Sequence, residues 1–335
     1  MEVLLIGAGG SGPAGADHFA PTVIVGSEQD GDPSAAQAAP FEYIPDPGDA
    51  SGIAAALDAV SATGAGGWVH IRRGTYSLAP EADPLTVPNN CRVTGDGPGA
   101  TVLIGRQSDR RVFTFQAGGS RSELSNIQIF MPPAVPNATG ASVIDMTPSQ
   151  FVLLDRVHVI GPGVAEGDDE SLTAVVRVGS DCIVQNSRFS AFPATDGGNL
   201  AVVRIPGVGG NSQIVGNFIQ GGDYEIFADG ASGAAWGIHI LNNYCLGNAN
   251  VNTCIALAVG GQRQFVRGNL CVSGDVGILF SANDRHVSLN QCYGQITTSI
   301  QLNGNGIACI GNTTSTGSPP VDGGAGNSVA NNTEF

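Results

Sequence analysis

The residues with the clearest potential for chemistry are two carboxylates and an arginine in the middle of the chain. Asp223 and Asp229 lie close together in sequence, and Arg204 precedes them. A pair of carboxylates on either side of a glycosidic bond performs acid and base catalysis in glycoside hydrolases. The sequence therefore offers Asp223 and Asp229 as candidate catalytic carboxylates and Arg204 as a candidate substrate-binding cation.

Two aromatic residues near this group could bind a sugar. Trp236 and Tyr224 belong to the same stretch of chain, and aromatic rings stack on apolar faces of ligands. Sugar-binding grooves are usually rich in such rings, whereas this chain has only 2 Trp and 5 Tyr. A ligand-binding role for Trp236 and Tyr224 and a packing role in the core are both open.

The opposing interpretation is that these carboxylates are solvated surface groups. The chain has 29 Asp and Glu, so loop carboxylates are expected throughout. Neither a paired-Asp hydrolase motif nor an Asp–Arg lyase motif is recognisable. The sequence favours a non-enzymatic role and leaves a polysaccharide lyase or glycoside hydrolase open. It indicates no metal and no cofactor, and calcium bound by acidic residues is expected only for a lyase.

Composition excludes several classes of partner. The 335 residues carry a net charge of −15, and all 14 basic residues are Arg. Nucleic-acid binding requires a positive surface, so it is excluded, as is membrane association through basic patches. No apolar run is long enough to span a membrane, and the first residues lack the basic start of a secretory signal. We therefore expect the chain to fold in a cytoplasm.

Two further patterns are predicted to carry no chemistry. Residues 7–12 match a dinucleotide-binding glycine fingerprint, but Pro13 and Gly15 prevent the helix that this motif needs. The 7 Cys are odd in number and form no CxxC pair. Free, buried thiols are the expected state of the cysteines.

The strongest signal is an internal repeat, in which an apolar residue is followed three positions later by Asn. It recurs at intervals of 20 to 31 residues, with Asp155 in place of Asn in an early repeat. Short β-rich strands that end in turn residues lie between the Asn positions. The predicted ladder residues are Asn186, Asn217, Asn243, Asn269, Asn290, Asn312 and Asn332.

This repeat predicts an all-β, right-handed parallel β-helix. Short strands cannot bury a face alone, but coils stacked about 4.8 Å apart bury a continuous core. Like side chains then stack, and each Asn amide can bond to the Asn above and below it. Because Asn also tolerates left-handed backbone geometry, the sequence places the ladder Asn at a turn. Arg188 is the exception in an otherwise apolar column that includes Cys245, Cys271 and Cys292.

The segment before the repeats resembles the N-terminal cap of the pectate-lyase-like superfamily. A helix capped by Asp49 or Ser51, with apolar residues Ile53, Leu57 and Val60, precedes the first strands. The motifs Gly74-Thr75-Tyr76 and Gly95-Asp96-Gly97…Thr101-Val102-Leu103 match the "G-x-Y" and "G-x-G…T-x-L/I" patterns of that family. The resemblance implies a β-helix, and it is strongest to bacteriophage tail spikes, fibres and head decoration proteins, which are typically homotrimers.

The chain therefore divides into an extended N-terminal arm for assembly (1–48), a capping helix with the first coils (49–104) and the β-helix coils (105–335). The last repeat lacks a closing helix, which favours an oligomer. The predicted function is a trimeric structural protein on a virion, in contact with other virion proteins through the arm and with host polysaccharide. The alternative is a secreted polysaccharide lyase or hydrolase.

Overall fold

The structure is a computed structural model, and it describes most of the chain in segments. The described residues are 22–27, 42–79, 83–106, 111–118, 121–132, 142–161, 174–191, 200–206, 210–229, 237–247, 253–258, 263–281, 283, 285–315 and 320–334. They form one α-helix and 32 β-strands, so the architecture is nearly all β.

The helix is α1 (Ser51–Thr63). In chain order the strands are β1 (Thr22–Ser27), β2 (Glu42–Asp46), β3 (Gly67–Ile71), β4 (Gly74–Ser77), β5 (Leu85–Val87), β6 (Cys91–Gly95), β7 (Thr101–Ile104), β8 (Phe113–Phe115), β9 (Ser122–Phe130), β10 (Ser142–Asp145), β11 (Val152–Ile160), β12 (Ala174–Arg177), β13 (Ile183–Gln185), β14 (Arg188–Ser190), β15 (Ala201–Pro206), β16 (Gln213–Val215), β17 (Phe218–Gln220), β18 (Tyr224–Asp229), β19 (His239–Leu241), β20 (Tyr244–Leu246), β21 (Thr253–Leu257), β22 (Gln264–Arg267), β23 (Leu270–Val272), β24 (Val276–Phe280), β25 (Arg285–Ser288), β26 (Gln291–Tyr293), β27 (Thr298–Leu302), β28 (Ala308–Ile310), β29 (Thr313–Thr314), β30 (Val321–Asp322), β31 (Ser328–Ala330) and β32 (Thr333–Glu334).

The strands stack as a right-handed parallel β-helix, as the repeat predicted. One sheet has 10 strands, from β5 to β30, and the other has 22 strands. The larger sheet covers two faces of the solenoid, and the nine-residue strands β9 and β11 run across both. Inward side chains, mostly Val, Ile, Leu, Phe and Cys, form one continuous buried core.

Helix α1 packs against β1, β2, β3 and β5. The predicted apolar residues Ile53, Leu57 and Val60 are buried in this contact, and the helix ends at Gly64, whose φ is 65°. The predicted cap differs, because Ala50 holds the N-cap position. The buried Asp46 carboxylate instead accepts backbone N–H bonds from residues 48, 50, 52 and 53 at 2.7 to 3.2 Å. A carboxylate is stabilised there by unpaired amides at the start of a helix.

The predicted arm contains two strands of the solenoid. Strand β1 pairs in parallel with β3 and with β2, so both extend the larger sheet beyond the first coil that the sequence indicated. The rest of residues 1–48, including the glycine pattern at 7–12, lies outside the described residues. The division of the chain at residues 48 and 104 stays a prediction.

Asparagines form a continuous hydrogen-bonded column inside the solenoid. The Asn243 Nδ2 and backbone N–H groups both donate to Asn269 Oδ1, at 3.0 and 2.9 Å. Asn269 Nδ2 in turn donates to Asn290 Oδ1 and to the Ile240 carbonyl oxygen. The same pattern joins each consecutive pair of Asn217, Asn243, Asn269, Asn290, Asn312 and Asn332. The buried amides therefore satisfy one another from coil to coil.

Asn186, which the sequence assigned to this column, lies one residue before it. Ser187 is in register with the column, and its backbone N–H donates to Asn217 Oδ1 at 2.9 Å. Asn186 has a φ of 51° and shares its position with Gly216, Asn242 and other residues of positive φ. The residue in the left-handed turn and the residue in the ladder are thus two adjacent positions of each coil, whereas the sequence analysis placed both roles on one Asn.

This shift also explains Arg188. Strand register places Phe189 in the inward column beside Ile219 and Cys245, whereas Arg188 points outward. Its guanidinium lies over the ring of Phe218, 4.7 Å from the ring centre. All seven cysteines are free and buried, as predicted.

The carboxyl group of Glu225 lies in the interior of the solenoid, next to cysteine thiols. Glu225 on β18 is fully buried, and burial together with the neighbouring Cys254 and Cys245 raises its pKa well above the ordinary value of 4.5. An apolar interior disfavours the charged form. Glu225 is therefore neutral at pH values where a Glu in the unfolded chain is ionised.

We predict that Asn269→Ala destabilises the solenoid by on the order of 3 kcal/mol, because several buried hydrogen-bonding groups lose their partners. Thermal unfolding followed by circular dichroism measures the effect. The matched control is Asn242→Gly, an exposed Asn on the preceding coil with a φ of 54°, where glycine fits without strain. A melting temperature of Asn269→Ala equal to that of this control would contradict a stabilising ladder.

A second prediction concerns pH. Because the folded-state pKa of Glu225 is raised, its contribution to stability is greatest below the unfolded pKa of 4.5 and is lost as the pH rises through the folded value. Within that window the loss is up to about 1.4 kcal/mol per pH unit. The test compares melting temperatures of the native chain and of Glu225→Gln from pH 4 upward, at steps of roughly one pH unit. The melting temperature of Glu225→Gln should fall less with rising pH than that of the native chain. The exposed-carboxylate variant Asp58→Asn should keep the native pH dependence, and an unchanged dependence in Glu225→Gln would refute the assignment.

Candidate functional site

Arg204 and Asp229, two of the predicted site residues, form an ion pair on the outer side of the 10-stranded sheet. Arg204 lies on β15 and Asp229 ends β18 on the next coil. Nε of Arg204 donates to Asp229 Oδ2 at 3.1 Å, and Nη2 of Arg204 donates to the same oxygen. Each side chain is about one quarter exposed (26% and 27%), and Arg177 and Asp145 form a similar pair on the coils before it. The two ion pairs lie on neighbouring coils and form a partly exposed ionic column on this sheet.

Asp223 lies at the other end of β18. Its Oδ2 accepts the Leu200 backbone N–H at 2.8 Å, and burial raises its pKa. With a rise of about 3.3 Å per residue, Asp223 and Asp229 are separated by roughly 20 Å along the strand. Carboxylate pairs in glycoside hydrolases are at most about 9.5 Å apart. The structure therefore does not bring Asp223 and Asp229 together as a catalytic pair, and Asp223 holds a turn.

Of the two predicted sugar-stacking residues, Tyr224 is half-buried and Trp236 lies outside the described residues. The Tyr224 ring stacks on Phe227, with ring centres 4.6 Å apart. Phe227 is in register with Arg204, so an aromatic pair and an ion pair share this face. This is the part of the predicted site that the structure assembles.

A second candidate site, which the sequence analysis did not predict, lies on the first coils of the larger sheet. The corner groove is lined by Arg92, Arg121, Glu123, Phe151 and Asp181 and has a volume of about 400 Å³. Strand register places Arg121, Phe151 and Asp181 one above the other on successive coils, about 4.8 Å apart. A cation, an aromatic ring and a carboxylate thus follow one another along one corner. Only the coil register could have shown this, because the three residues are far apart in sequence.

Beside the corner groove lies a polar platform. Arg92 Nε lies 3.1 Å from Glu123 Oε2, and the Arg92 guanidinium lies over the Trp68 ring at 5.4 Å. Trp68 Nε1 donates to Thr94 Oγ1 at 2.8 Å, which fixes the indole while 37% of the side chain stays exposed. His70 is held by Thr94 and by Asp96, 3.0 Å from Nε2. Hydrogen bonds and ion pairs therefore hold an exposed aromatic ring in one orientation.

The described residues contain no group of three or more His, Cys, Asp or Glu side chains placed to hold a metal ion. The helix they contain is too short to cross a membrane.

No protein-family model and no curated protein matches the chain. Solved structures do match its fold, and three of them are as follows. A mutant tailspike protein of E. coli bacteriophage HK620, in complex with a pentasaccharide, has a TM-score of 0.57 at 13% identity, over 85% of this chain and 62% of that chain. DFA-IIIase from Arthrobacter chlorophenolicus without its lid has a TM-score of 0.55 at 13% identity, over 84% of each chain.

The third is a tailspike protein from Acinetobacter baumannii bacteriophage Fri1, described as a capsular polysaccharide depolymerase. Its TM-score is 0.52 at 11% identity, over 83% of this chain and 53% of that chain. Both tailspikes are thus considerably longer than this chain. At these identities the likeness shows the fold alone: the chain is a right-handed parallel β-helix, as the resemblance implied.

Asp223, which directly precedes β18, and Asp229, which ends it, should differ in their effect on stability. Asp223→Ala removes the acceptor of a buried backbone N–H, which costs about 1–3 kcal/mol. Asp229→Ala breaks a partly exposed ion pair, which is worth at most about 1 kcal/mol. Thermal unfolding of the two variants side by side tests this ranking. Equal losses, or a larger loss for Asp229→Ala, would contradict the structural role of Asp223.

Proposed function

We propose that the chain is a structural protein on the surface of a bacteriophage particle, a homotrimeric β-helix tail spike or fibre or a head decoration protein. The observation that carries the proposal is the solenoid itself, which two phage tailspikes share over 83% and 85% of this chain. In this role residues 1–48 attach the trimer to other virion proteins. The outer faces of the coils are then free to contact the host.

An apolar strip on the outside of the larger sheet supports self-association. This outer apolar face consists of Phe218, Tyr244, Leu246, Leu270 and Val272, all partly exposed. Phe218 and Tyr244 stack with ring centres 5.2 Å apart, and strand register continues both rows on the following coil. Contiguous exposed apolar surface marks protein–protein contacts in soluble proteins. Three copies packed along this face would bury it.

Contact with host glycans is the second part of the proposal. Of the solved structures that share the fold, the HK620 tailspike holds a pentasaccharide and the Fri1 tailspike is described as a depolymerase. The exposed Trp68, the Tyr224–Phe227 stack and the Arg–carboxylate pairs beside them are side chains of the kind that bind sugars. We therefore infer a surface that binds polysaccharide of the host.

A depolymerase, either a glycoside hydrolase or a polysaccharide lyase, is the second candidate. The Fri1 tailspike favours it, because that protein combines the same fold with the described cleavage of capsular polysaccharide. Against it, Asp223 and Asp229 are too far apart to act together. A lyase would add calcium held by acidic residues. We place binding ahead of cleavage for this chain.

The homotrimer is testable by light scattering after size-exclusion chromatography, where the native chain should have three times its mass of 33.9 kDa. Leu270→Glu places a charge on the outer apolar face and should yield monomers, because an unpaired charge is costly to bury. Leu279→Glu is the matched control, since Leu279 is a half-buried, outward-facing leucine on the other sheet. It should remain trimeric.

A native monomer, or trimers that survive Leu270→Glu, would contradict this interface. Electron microscopy of native particles, with antibody against the chain, tests the virion role directly. Absence of the chain from particles would refute that role. Release of new reducing or unsaturated sugar ends from bound polysaccharide would favour the depolymerase instead.

A further inference from the structure

The corner groove contains an exposed aromatic residue at a position where the backbone is left-handed. Phe151 has a φ of 56°, a left-handed conformation that is unfavourable for a bulky side chain, and its ring is 45% exposed. On five other coils the same corner position also has a positive φ, and the residues there are Asn90, Asp181, Asn211, Gly237 and Arg263. Asn, Asp and Gly fit this conformation most easily. Phe151 instead presents an exposed aromatic ring, and such a ring offers a ligand an apolar face on which to stack.

The charge beside Phe151 indicates which ligand. Arg121, on the coil before Phe151, is exposed, and it has no ion-pair partner among the described residues. The other arginine of the groove, Arg92, is already paired with Glu123. On a protein with a net charge of −15, a guanidinium at the mouth of a groove, without an ion-pair partner in the described part of the chain, can bind an anion such as a carboxylate.

The third member of the column supplies hydrogen-bond acceptors. Asp181, on the coil after Phe151, accepts the Asn211 side-chain amide at 3.1 Å through Oδ1. That bond orients the carboxylate, and Oδ2 has no hydrogen-bond donor among the residues that the structure describes. Hydroxyl groups are such donors, and a carboxylate accepts strong hydrogen bonds from them.

We propose that the corner groove binds a carboxylate-bearing sugar of an acidic polysaccharide. Arg121 pairs with the carboxylate of the sugar, the sugar ring stacks on Phe151, and Asp181 accepts its hydroxyl groups. The groove volume of about 400 Å³ lies in the range of small-ligand sites. This inference rests on the proposed glycan-binding function and deepens it by naming the site and the charge of the glycan.

Neighbouring residues would extend the site toward the helix. Trp68 lies on the outer row of the same sheet, three coils from the Phe151 coil, which is about 14 Å along the stack. A polysaccharide lying along the coils would pass from Phe151 over the Arg92–Glu123 pair to Trp68. The groove therefore favours a chain of sugars over a single sugar.

The test measures binding of the full-length protein to immobilised polysaccharides by biolayer interferometry. The acidic probes are polygalacturonate, alginate, hyaluronan and polysialic acid, and the neutral probes are dextran and fully methyl-esterified polygalacturonate. Two variants disrupt the groove, Phe151→Asn and Arg121→Gln. Asn suits the left-handed backbone at residue 151, so the first variant should fold at least as stably as the native chain.

Matched controls separate the groove from general effects. Leu289→Asn changes another exposed large residue in the same conformation, with a φ of 56° and 53% exposure, on a distant coil. Arg263→Gln removes an exposed arginine from the same corner, five coils from Arg121. Both controls should bind as the native chain does.

We expect the native protein to bind at least one acidic probe, with the affinity falling about tenfold or more in both groove variants. Binding to neutral probes only, or equal binding by the groove variants and their controls, overturns the corner site while glycan binding itself stands. No binding to any probe overturns both. A change of oligomeric mass in Phe151→Asn, without a change in binding, shows that a second copy covers the groove and overturns the proposal.

Discussion

The structure depends on one constraint, which is that every coil must offer its backbone hydrogen bonds to the next coil in fixed register. Parallel pairing at about 4.8 Å stacks equivalent residues directly above one another. Inward columns must therefore be apolar, or the polar groups in them must form hydrogen bonds with the equivalent groups on the next coils. The ladder from Asn217 to Asn332 is the second solution, because each side chain is both donor and acceptor to the next. Since a one-residue slip would reverse the facing of every side chain, the ladder also fixes the register.

The same constraint determines how much of the fold could be predicted. Repetition of an apolar residue and Asn predicts the parallel β-helix, because few other folds require like residues at coil spacing. It could not distinguish the two uses of Asn. Asn186 occupies a left-handed turn, whereas Ser187 continues the ladder, and only strand pairing separates them. The helix cap was missed for a similar reason: Asp46 bonds to N–H groups as far as residue 53, which no local capping pattern indicates.

The candidate site could be predicted far less well. Asp223 and Asp229 are neighbours in sequence, yet an extended strand carries them to its opposite ends. In a helix or a tight loop the same spacing would have brought them together. Arg121, Phe151 and Asp181 are the opposite case, because stacking of coils makes neighbours of residues 30 positions apart. In a solenoid, a site runs across the coils, so sequence proximity is a poor guide to it.

Stacking also makes the first coils a suitable place for the binding surface proposed above. Strands β9 and β11 run unbroken across two faces, and helix α1 packs on the coils before them, so the backbone beneath the corner groove is held by regular pairing. A rigid surface loses little conformational entropy when a ligand binds. Side chains there can be exposed without disturbing the core, provided that the backbone tolerates them. Phe151 is an example, because its backbone keeps a left-handed φ of 56° while the residue stays 45% exposed.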